Sequence, residues 1–232
     1  MLTGVQEGSE IGCRGVQERR GLARTGAASR KDLFFARVYI DWRNTLSNPE
    51  TSAVLARLAQ TMATVLAAYE DVVGDNPARR LSGLHNFVVF GRAVTNVLQS
   101  LRSSKDDFEE WYRPRVIEMQ ADPLLRYLYS LRSEILKKGA DRTSTSVKIK
   151  SFSFPIDMAQ FGPPPANASG FFIGDRNGGS GWEVKLPDGS VAVYYAELPE
   201  GIGAVDVLLS DAPTQHLGRA LADRRVQTIC AA

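Results

Sequence analysis

The segment 122-DPLLRYLYSLRSEILKKG-139 decides the fold of this chain, because it is the most completely specified helix in the sequence. Asp122 is a helix-capping residue type, and Pro123 suits the first helical turn because its missing N–H would have no partner there. Two lysines and Gly139 then match the preferences of a helix C-terminus. Apolar residues recur at helical intervals on one face: Leu124, Leu128, Leu131 and Ile135. The segment therefore predicts a helix that buries this face in a helical assembly.

A second stripe of the same helix contains a charge where an apolar residue is expected. Arg132 follows helical spacing with three apolar or aromatic residues, Leu125, Tyr129 and Leu136. A buried arginine needs hydrogen-bond acceptors and a paired charge. The structural interpretation predicts an ion pair of Arg132 with Glu118 or Glu109 that ties two helices together. Asn96 is a further candidate partner.

Composition narrows the class of protein. The chain has 232 residues, 44% of them hydrophobic, and a net charge of +2, which is ordinary for a soluble protein with a real core. Cys13 and Cys230 lie near opposite ends and have neither a disulfide nor a metal-ligand spacing, so we expect a reducing cytoplasm, no metal and no cofactor. No run of about 18 apolar residues is visible, so no membrane span is expected.

The first part of the chain has helical periodicity after a polar start. Residues 1–30 are poor in apolar residues and predict a disordered tail. Helical spacing begins around Phe34 to Trp42, which predicts the first helix. Gly91 lies in the middle of the third predicted helix and suggests close approach of a neighbouring helix or side chain. Pro114 is expected to kink or split the fourth helix. The prediction is an antiparallel helical bundle of four to five helices over residues 31–140.

The second part of the chain alternates as β-strands do. Val147 to Phe154, Phe171 to Ile173 and Val205 to Leu209 predict strands, and the turn Pro187-Asp-Gly189 predicts a hairpin between two more. The fold class is therefore α+β, with a small antiparallel β-sheet over residues 145–210 and a weakly helical tail over residues 211–232. Cross-strand packing is the expected use of the hairpin aromatics, and base stacking is the alternative: Trp182, Tyr194 and Tyr195.

Two histidines and a glycine-rich loop offer no complete site. Neither His85 nor His216 has a carboxylate or cysteine at a spacing typical of a triad or metal site. His85 is expected to be a surface or packing residue, and His216 is expected to cap a helix or reach a neighbouring surface. The loop 174-GDRNGGSG-181 lacks the Gly-Lys-Ser/Thr ending of a phosphate-binding loop and the acidic ligands of a calcium loop. It predicts a flexible hairpin connection.

Three segments carry a resemblance to known proteins: 85-HNFVVFGRAV-94, 108-FEEWY-112 and 131-LRSEILKKG-139. Together with the order of helices, they resemble a group of uncharacterised bacterial proteins and, more distantly, the HEPN superfamily of helical bundles, over about residues 33–139. That superfamily includes metal-independent ribonucleases of toxin–antitoxin, abortive-infection and CRISPR systems, and non-catalytic members. The resemblance implies a bundle that pairs with a second subunit.

The superfamily's active pattern is Arg, a polar residue, three more residues and His, and in the family two paired subunits supply these groups for attack of a ribose 2′-hydroxyl on its phosphodiester. Arg132 and Ser133 match the first two positions, but Lys137 stands where the histidine belongs. A lysine of ordinary pKa can hold phosphate but is a poor base at neutral pH. The resemblance thus implies a degenerate Arg-x4-His motif.

Three hypotheses follow for the function. The leading one is a non-catalytic HEPN-like interaction module that acts by protein association, as a homodimer or with another protein. The alternative is a metal-independent RNase or RNA-binding protein of toxin or defence type that uses Arg132, Ser133 and Lys137 as its candidate catalytic residues. A third is a small-ligand sensor with a pocket between the bundle and the sheet.

Overall fold

The computed structural model describes residues 49–232, and the first half of this part is helical. Four long helices follow one another: α1 (Pro49–Val73), α2 (Pro77–Gln99), α3 (Phe108–Ala121) and α4 (Pro123–Lys138). A 3₁₀ turn, Ser100–Ser103, links α2 to α3. The predicted tail over residues 1–30 and the predicted helix from Phe34 to Trp42 lie outside the described residues.

The second half consists of short antiparallel strands. They are β1 (Thr143–Ile149), β2 (Ala168–Ile173), β3 (Ser180–Lys185), β4 (Val191–Ala196), β5 (Gly203–Leu209), β6 (Gln215–His216) and β7 (Arg219–Ala220). β1 pairs with β5, β2-β3-β4 form a three-stranded sheet, and β6 pairs with β7. A last helix, α5 (Val226–Ala231), follows. The predicted α+β class, with helices first and small antiparallel sheets after them, is confirmed.

Local signals set both ends of α4. The Asp122 Oδ1 atom accepts a hydrogen bond from the Leu125 N–H at 2.9 Å, and Pro123 occupies the first turn. Gly139 has a φ of 64°, a left-handed conformation that glycine adopts without steric cost. The helix buries Leu124 and Leu131 in the core, as its apolar spacing predicts.

Helices α1 and α2 approach each other closely at Gly83. A Cβ atom on Gly83 would lie 2.7 Å from the Asp71 Cβ and 2.9 Å from the Ala68 carbonyl oxygen. Around Gly91, by contrast, an added Cβ would meet no atom of residues 49–232 within 4 Å. The close contact in this part of the chain therefore lies at Gly83, two turns earlier in the same helix, and a close approach at Gly91 stays a prediction.

The bounds of two elements bear on further predictions. Pro114 lies inside α3, and Phe108–Ala121 is one helix, so the helix is not split and the kink stays a prediction. The predicted first strand ends at Ile149, so Phe152 and Phe154 are not part of it. They belong to an irregular stretch that precedes a short 3₁₀ helix, Asp157–Phe161.

In the described part, one hydrophobic core joins α1, α2 and α4 to β5 and α5. It contains Val72, Leu84, Val88, Leu124 and Leu131 from the long helices, Val207 and Leu209 from β5, and Val226, Ile229 and Cys230 from α5. Full burial of one such aliphatic side chain contributes about 1.5–3 kcal/mol. The segment over residues 211–232, predicted as a weakly helical tail, thus contributes residues of α5 to this core.

One helix of the described part, α1, is long and apolar enough to cross a membrane by length and composition alone. A single helix of this kind is weak evidence of a membrane span, since core helices of soluble proteins meet the same criterion. α1 packs along α2 and against α5, and its Asp71 pairs with Arg79 at 2.8 Å. These contacts make α1 an integral part of the helical assembly.

Candidate functional site

The outer face of α4 exposes apolar side chains on both sides of Arg132. Tyr129 is 59% exposed and Leu136 is 55% exposed, whereas Arg132 between them is half-buried. The guanidinium carbon of Arg92, on α2, lies 5.8 Å from the centre of the Tyr129 ring. We call these four residues, Arg92, Tyr129, Arg132 and Leu136, the α4 outer face.

The ion pair predicted for Arg132 is not formed within residues 49–232. Glu109 pairs with Arg102 instead, which is seven residues earlier and lies in the turn directly before α3. No salt bridge of the described residues joins Arg132 to Glu118. The Arg132 Nε atom is buried and has no hydrogen-bond partner in the described part. The prediction is corrected because Glu109 has a cation much closer to it in the chain.

The other two residues of the degenerate motif do not converge with Arg132 on a cavity. The Ser133 hydroxyl donates a hydrogen bond to the Tyr129 carbonyl, 3.2 Å away in its own helix. Lys137 is exposed in the last turn of α4. Neither of the two open cavities described below is lined by any of the three residues.

The structure brings His216 against a buried carboxylate that the sequence interval does not suggest. The His216 Nδ1 atom lies 3.0 Å from Asp122 Oδ1, and the Leu217 N–H donates to Asp122 Oδ2 at 2.6 Å. Burial by itself would raise the pKa of Asp122, but the hydrogen bonds from Leu217, Leu125 and His216 outweigh it and hold the pKa below its usual value. Asp122 thus caps α4 and fixes the β6–β7 turn.

His85 also meets a buried carboxylate, Asp141. The His85 Nε2 atom lies 3.4 Å from Asp141 Oδ2, and Arg176 Nη2 donates to the same oxygen at 2.8 Å. The Thr143 hydroxyl and N–H donate to the other oxygen at 2.7 and 3.2 Å. Burial by itself would raise the pKa of Asp141, but the hydrogen bonds from Thr143 and Arg176 outweigh this effect and hold the pKa below its usual value. The cluster joins α2, β1 and the β2–β3 loop.

The glycine-rich segment is the β2–β3 connection, as predicted, and Asp175 organises it from within. Asp175 Oδ1 accepts hydrogen bonds from the Asn177 and Gly179 N–H groups at 3.0 and 2.8 Å. Its Oδ2 accepts one from the Tyr195 hydroxyl at 2.5 Å. Burial, followed by this bond to Asp175, raises the pKa of Tyr195. The Asp175 carboxylate is therefore satisfied by two amides of the loop and by Tyr195 of β4.

Arg80 fastens this loop to the helices. Its Nη1 atom donates to the Asn177 and Gly178 carbonyls at 2.8 and 3.2 Å, and only 9% of the residue is exposed. A Cβ on Gly178 would lie 2.7 Å from this Nη1 atom, so the close approach requires glycine. Burial lowers the pKa of Arg80, partly offset by Asp175. The loop is thus a structural contact between α2 and the three-stranded sheet.

Two open cavities lie elsewhere on the described surface. One of about 470 Å³ lies between Pro123 and the chain after β5, with Arg224 in its wall. The other, of about 1100 Å³, is lined entirely by residues between Phe152 and Trp182, among them Phe171 and three consecutive prolines. Neither lies between the helices and the three-stranded sheet. Residues 49–232 contain no group of three or more His, Cys, Asp or Glu side chains that could hold a metal ion.

Comparison with known proteins gives a similarity at the level of a family. Residues 51–165 match the family described as Bacteriophage lambda protein ea47. This stretch runs from the first turn of α1 to the residues before β2, and so contains the four long helices with the α4 outer face. No curated protein and no solved structure matches the chain. The resemblance to the HEPN superfamily stays a prediction.

Proposed function

We propose that this protein is a non-catalytic interaction module that associates with a second copy through the α4 outer face. The observation that carries the proposal is the exposure of Tyr129 and Leu136 on one helical stripe, on both sides of Arg132. Single exposed apolar residues are common, but a stripe that also contains a half-buried arginine is unusual on a solvated helix. The proposal includes a cytoplasmic location, as the cysteine usage predicts.

Self-association suits this surface physically. A two-fold interface uses the same patch on both subunits, so one exposed helical stripe can meet its own copy. Pairing would bury the Tyr129 and Leu136 side chains at about 25 cal/mol per Å² of apolar area. The buried Arg132 Nε has no acceptor among the described residues. That unpaired donor carries a desolvation cost, which is unusual for a residue on a purely solvated helix face.

The ribonuclease hypothesis receives less support from the geometry. Ser133 is hydrogen-bonded to its own helix, and Lys137 is exposed beyond the stripe. We therefore expect no RNA cleavage in the absence of metal, either by the wild type or by Arg132→Ala. Cleavage by the wild type that Arg132→Ala abolishes would favour the enzyme over the interaction module.

The test of the association is the mass of the full chain in solution, by light scattering coupled to gel filtration over a wide concentration range. Leu136→Asp places a charge on the stripe and blocks association through this face. Its mass in solution should therefore be lower than that of the wild type. Leu66→Asp is the matched control, because Leu66 on α1 is 57% exposed, and it should leave the mass unchanged. A wild type that stays monomeric, or a Leu136→Asp protein with the wild-type mass, would contradict the proposal.

A further inference from the structure

Strand β4 is an edge strand whose outer side is unprotected. It pairs with β3 on one side, and its other side has no partner strand in the described part. Val191 and Val193 are 55% and 45% exposed. Natural edge strands usually carry lysine, proline or inward charges that oppose further pairing. β1 follows this rule with Lys148, whereas the sequence from Ser190 to Ala196, SVAVYYA, contains no charge and no proline.

The hydrogen-bonding register fixes which backbone groups of β4 point outward. The Leu186 N–H donates to the Ser190 carbonyl at 2.8 Å, so residues 186 and 190 face each other across a hydrogen-bonded pair. Such pairs alternate along an antiparallel ladder. With Val184 opposite Ala192 and Trp182 opposite Tyr194, the even-numbered residues of β4 bond to β3. The outward N–H and C=O groups belong to Val191, Val193 and Tyr195.

The register of the opposite edge of β3 agrees with this assignment. The Gly174 N–H donates to the Gly179 carbonyl, which makes 174 and 179 a hydrogen-bonded pair. Gly181 and Glu183 therefore bond toward β2, and Trp182 and Val184 are left for β4. None of the outward groups of β4 takes part in a hydrogen bond with another described residue. Three alternate residues of β4 thus present backbone donors and acceptors that have no partner within residues 49–232.

We propose that β4 pairs with β4 of a second copy of this chain, antiparallel and centred on Val193. The two strands form a hydrogen-bonded ladder only in a register in which their outward-facing residues lie opposite one another. The register with Val193 opposite Val193 and Val191 opposite Tyr195 meets this condition. Ala192 then faces Tyr194 on the other side of the sheet. The strand is uncharged, so the two-fold arrangement brings no like charges together, and it places valines and tyrosines in favourable cross-strand pairs.

This pairing extends the β2-β3-β4 sheet into a six-stranded sheet across two chains. It is an interface separate from the α4 outer face, because it uses a different element and a different kind of contact. A chain with two different two-fold interfaces assembles beyond the dimer. The wild type is therefore expected to exceed the mass of a dimer at high concentration.

The test uses the full chain with Leu136→Asp, so that β4 pairing is observed without the proposed helical contact. This protein should be a dimer, and adding Val193→Lys should make it a monomer because the two lysines would face each other across the two-fold axis. Val193→Glu should do the same. Mixing the Lys and Glu proteins should restore the dimer, since opposite charges then meet at the centre of the ladder. Val191→Lys is the matched control with a smaller effect, because its opposite residue is Tyr195.

Several outcomes would overturn the pairing: a monomeric Leu136→Asp protein, a Val193→Lys protein that keeps the dimer, or Lys and Glu proteins that stay monomeric when mixed. Circular dichroism melts check that each variant is folded. If the helical contact does not exist, Leu136→Asp behaves as the wild type, and Val193→Lys still converts the remaining dimer to monomer. Failure of the β4 pairing and failure of the helical association are thus distinguishable.

Discussion

At the scale of single residues, Asp122 does more than end one helix and begin the next. Its carboxylate is almost fully buried, and it accepts hydrogen bonds from residues 3, 94 and 95 positions away in the chain. A buried carboxylate is tolerated only when such donors replace water. The residue therefore couples the start of α4 to the β6–β7 turn.

Replacement of Asp122 tests this coupling. Asp122→Ala removes a helix cap and leaves the Leu217 N–H and the His216 ring without their acceptor, so we expect a loss of about 2–3 kcal/mol in the free energy of unfolding. Asp107→Ala is the matched control. Asp107 stands at the N-cap of α3, but its side chain makes no capping bond, so its loss should be within about 0.5 kcal/mol. Urea denaturation followed by circular dichroism measures both, and equal losses would contradict the role of Asp122.

The same carboxylates predict a pH dependence. The pKa values of Asp122 and Asp141 are lower in the folded protein than the value of about 3.9 for a free aspartate. Their contribution to stability is therefore complete above that value and is lost as the pH falls below it through the folded-state pKa.

Urea unfolding at a series of pH values checks this sign. Stability should fall below about pH 4, and Asp122→Asn should show a smaller fall because its amide does not take up a proton. Asp107→Asn should keep the wild-type dependence. A steeper acid loss in Asp122→Asn would rule out the assigned sign.

The sequence could predict the cap but not the partners of these residues. Asp122, Pro123 and Gly139 act within one helix, so their types and spacing carry the information. The contact with His216 depends on how a segment 94 residues away returns to the helix, and no local interval encodes it. The same holds for His85 and Asp141, which are 56 positions apart. The predicted partner of Arg132, Glu109, instead pairs with Arg102, which is closer to it in the chain.

At the scale of elements, α2 contains two glycines with opposite roles. Gly83 lies against the backbone of α1, whereas no atom of residues 49–232 occupies the space beside Gly91. Their sequence contexts are both apolar and helical, so composition could not tell which one marks the contact. The hairpin β3–β4 behaves differently, because the turn residues Pro187-Asp-Gly189 act locally and predicted it correctly.

The two glycines make a matched pair of substitutions. Gly91→Ala should stabilise the protein by about 0.5–1 kcal/mol, because alanine loses less backbone entropy in a helix and its methyl group meets no described atom. Gly83→Ala should destabilise it by about 1–3 kcal/mol, since the methyl group would force α1 and α2 apart. Thermal and urea unfolding measure both signs. A stabilised Gly83→Ala protein would show that the helix contact is looser than described.

At the scale of the whole described part, α1, α2, α4, β5 and α5 share one hydrophobic core, and polar contacts join the β2–β3 loop to α2. Val207 and Leu209 of β5 pack against the long helices, and Arg80 carries the β2–β3 loop. The order of helices and strands was readable from periodicity. The sharing of the core by α5 was not, because six residues without a capping side chain carry little pattern of their own.

Neighbouring arginines separate the polar contact from a surface charge. Arg80→Met leaves the Asn177 and Gly178 carbonyls without their donor and should cost about 2 kcal/mol. Arg79→Met removes only an ion pair whose arginine is mostly exposed, and should cost less than about 1 kcal/mol. Hydrogen exchange of the loop amides provides the second readout. It should accelerate in Arg80→Met alone, and equal exchange in both variants would contradict the fastening role of Arg80.

The position of Cys230 also makes its thiol a chemical probe of how often α5 leaves the core. Its thiol is buried in the shared core, and burial raises its pKa to about 12. Alkylating reagents attack the thiolate, so this sulfur reacts only when α5 leaves the core and water reaches it. In a chain with Cys13→Ser, the rate at which a maleimide labels the remaining cysteine would report how often that departure occurs. The labelling rate of Cys230 thereby measures how long α5 stays packed in the core.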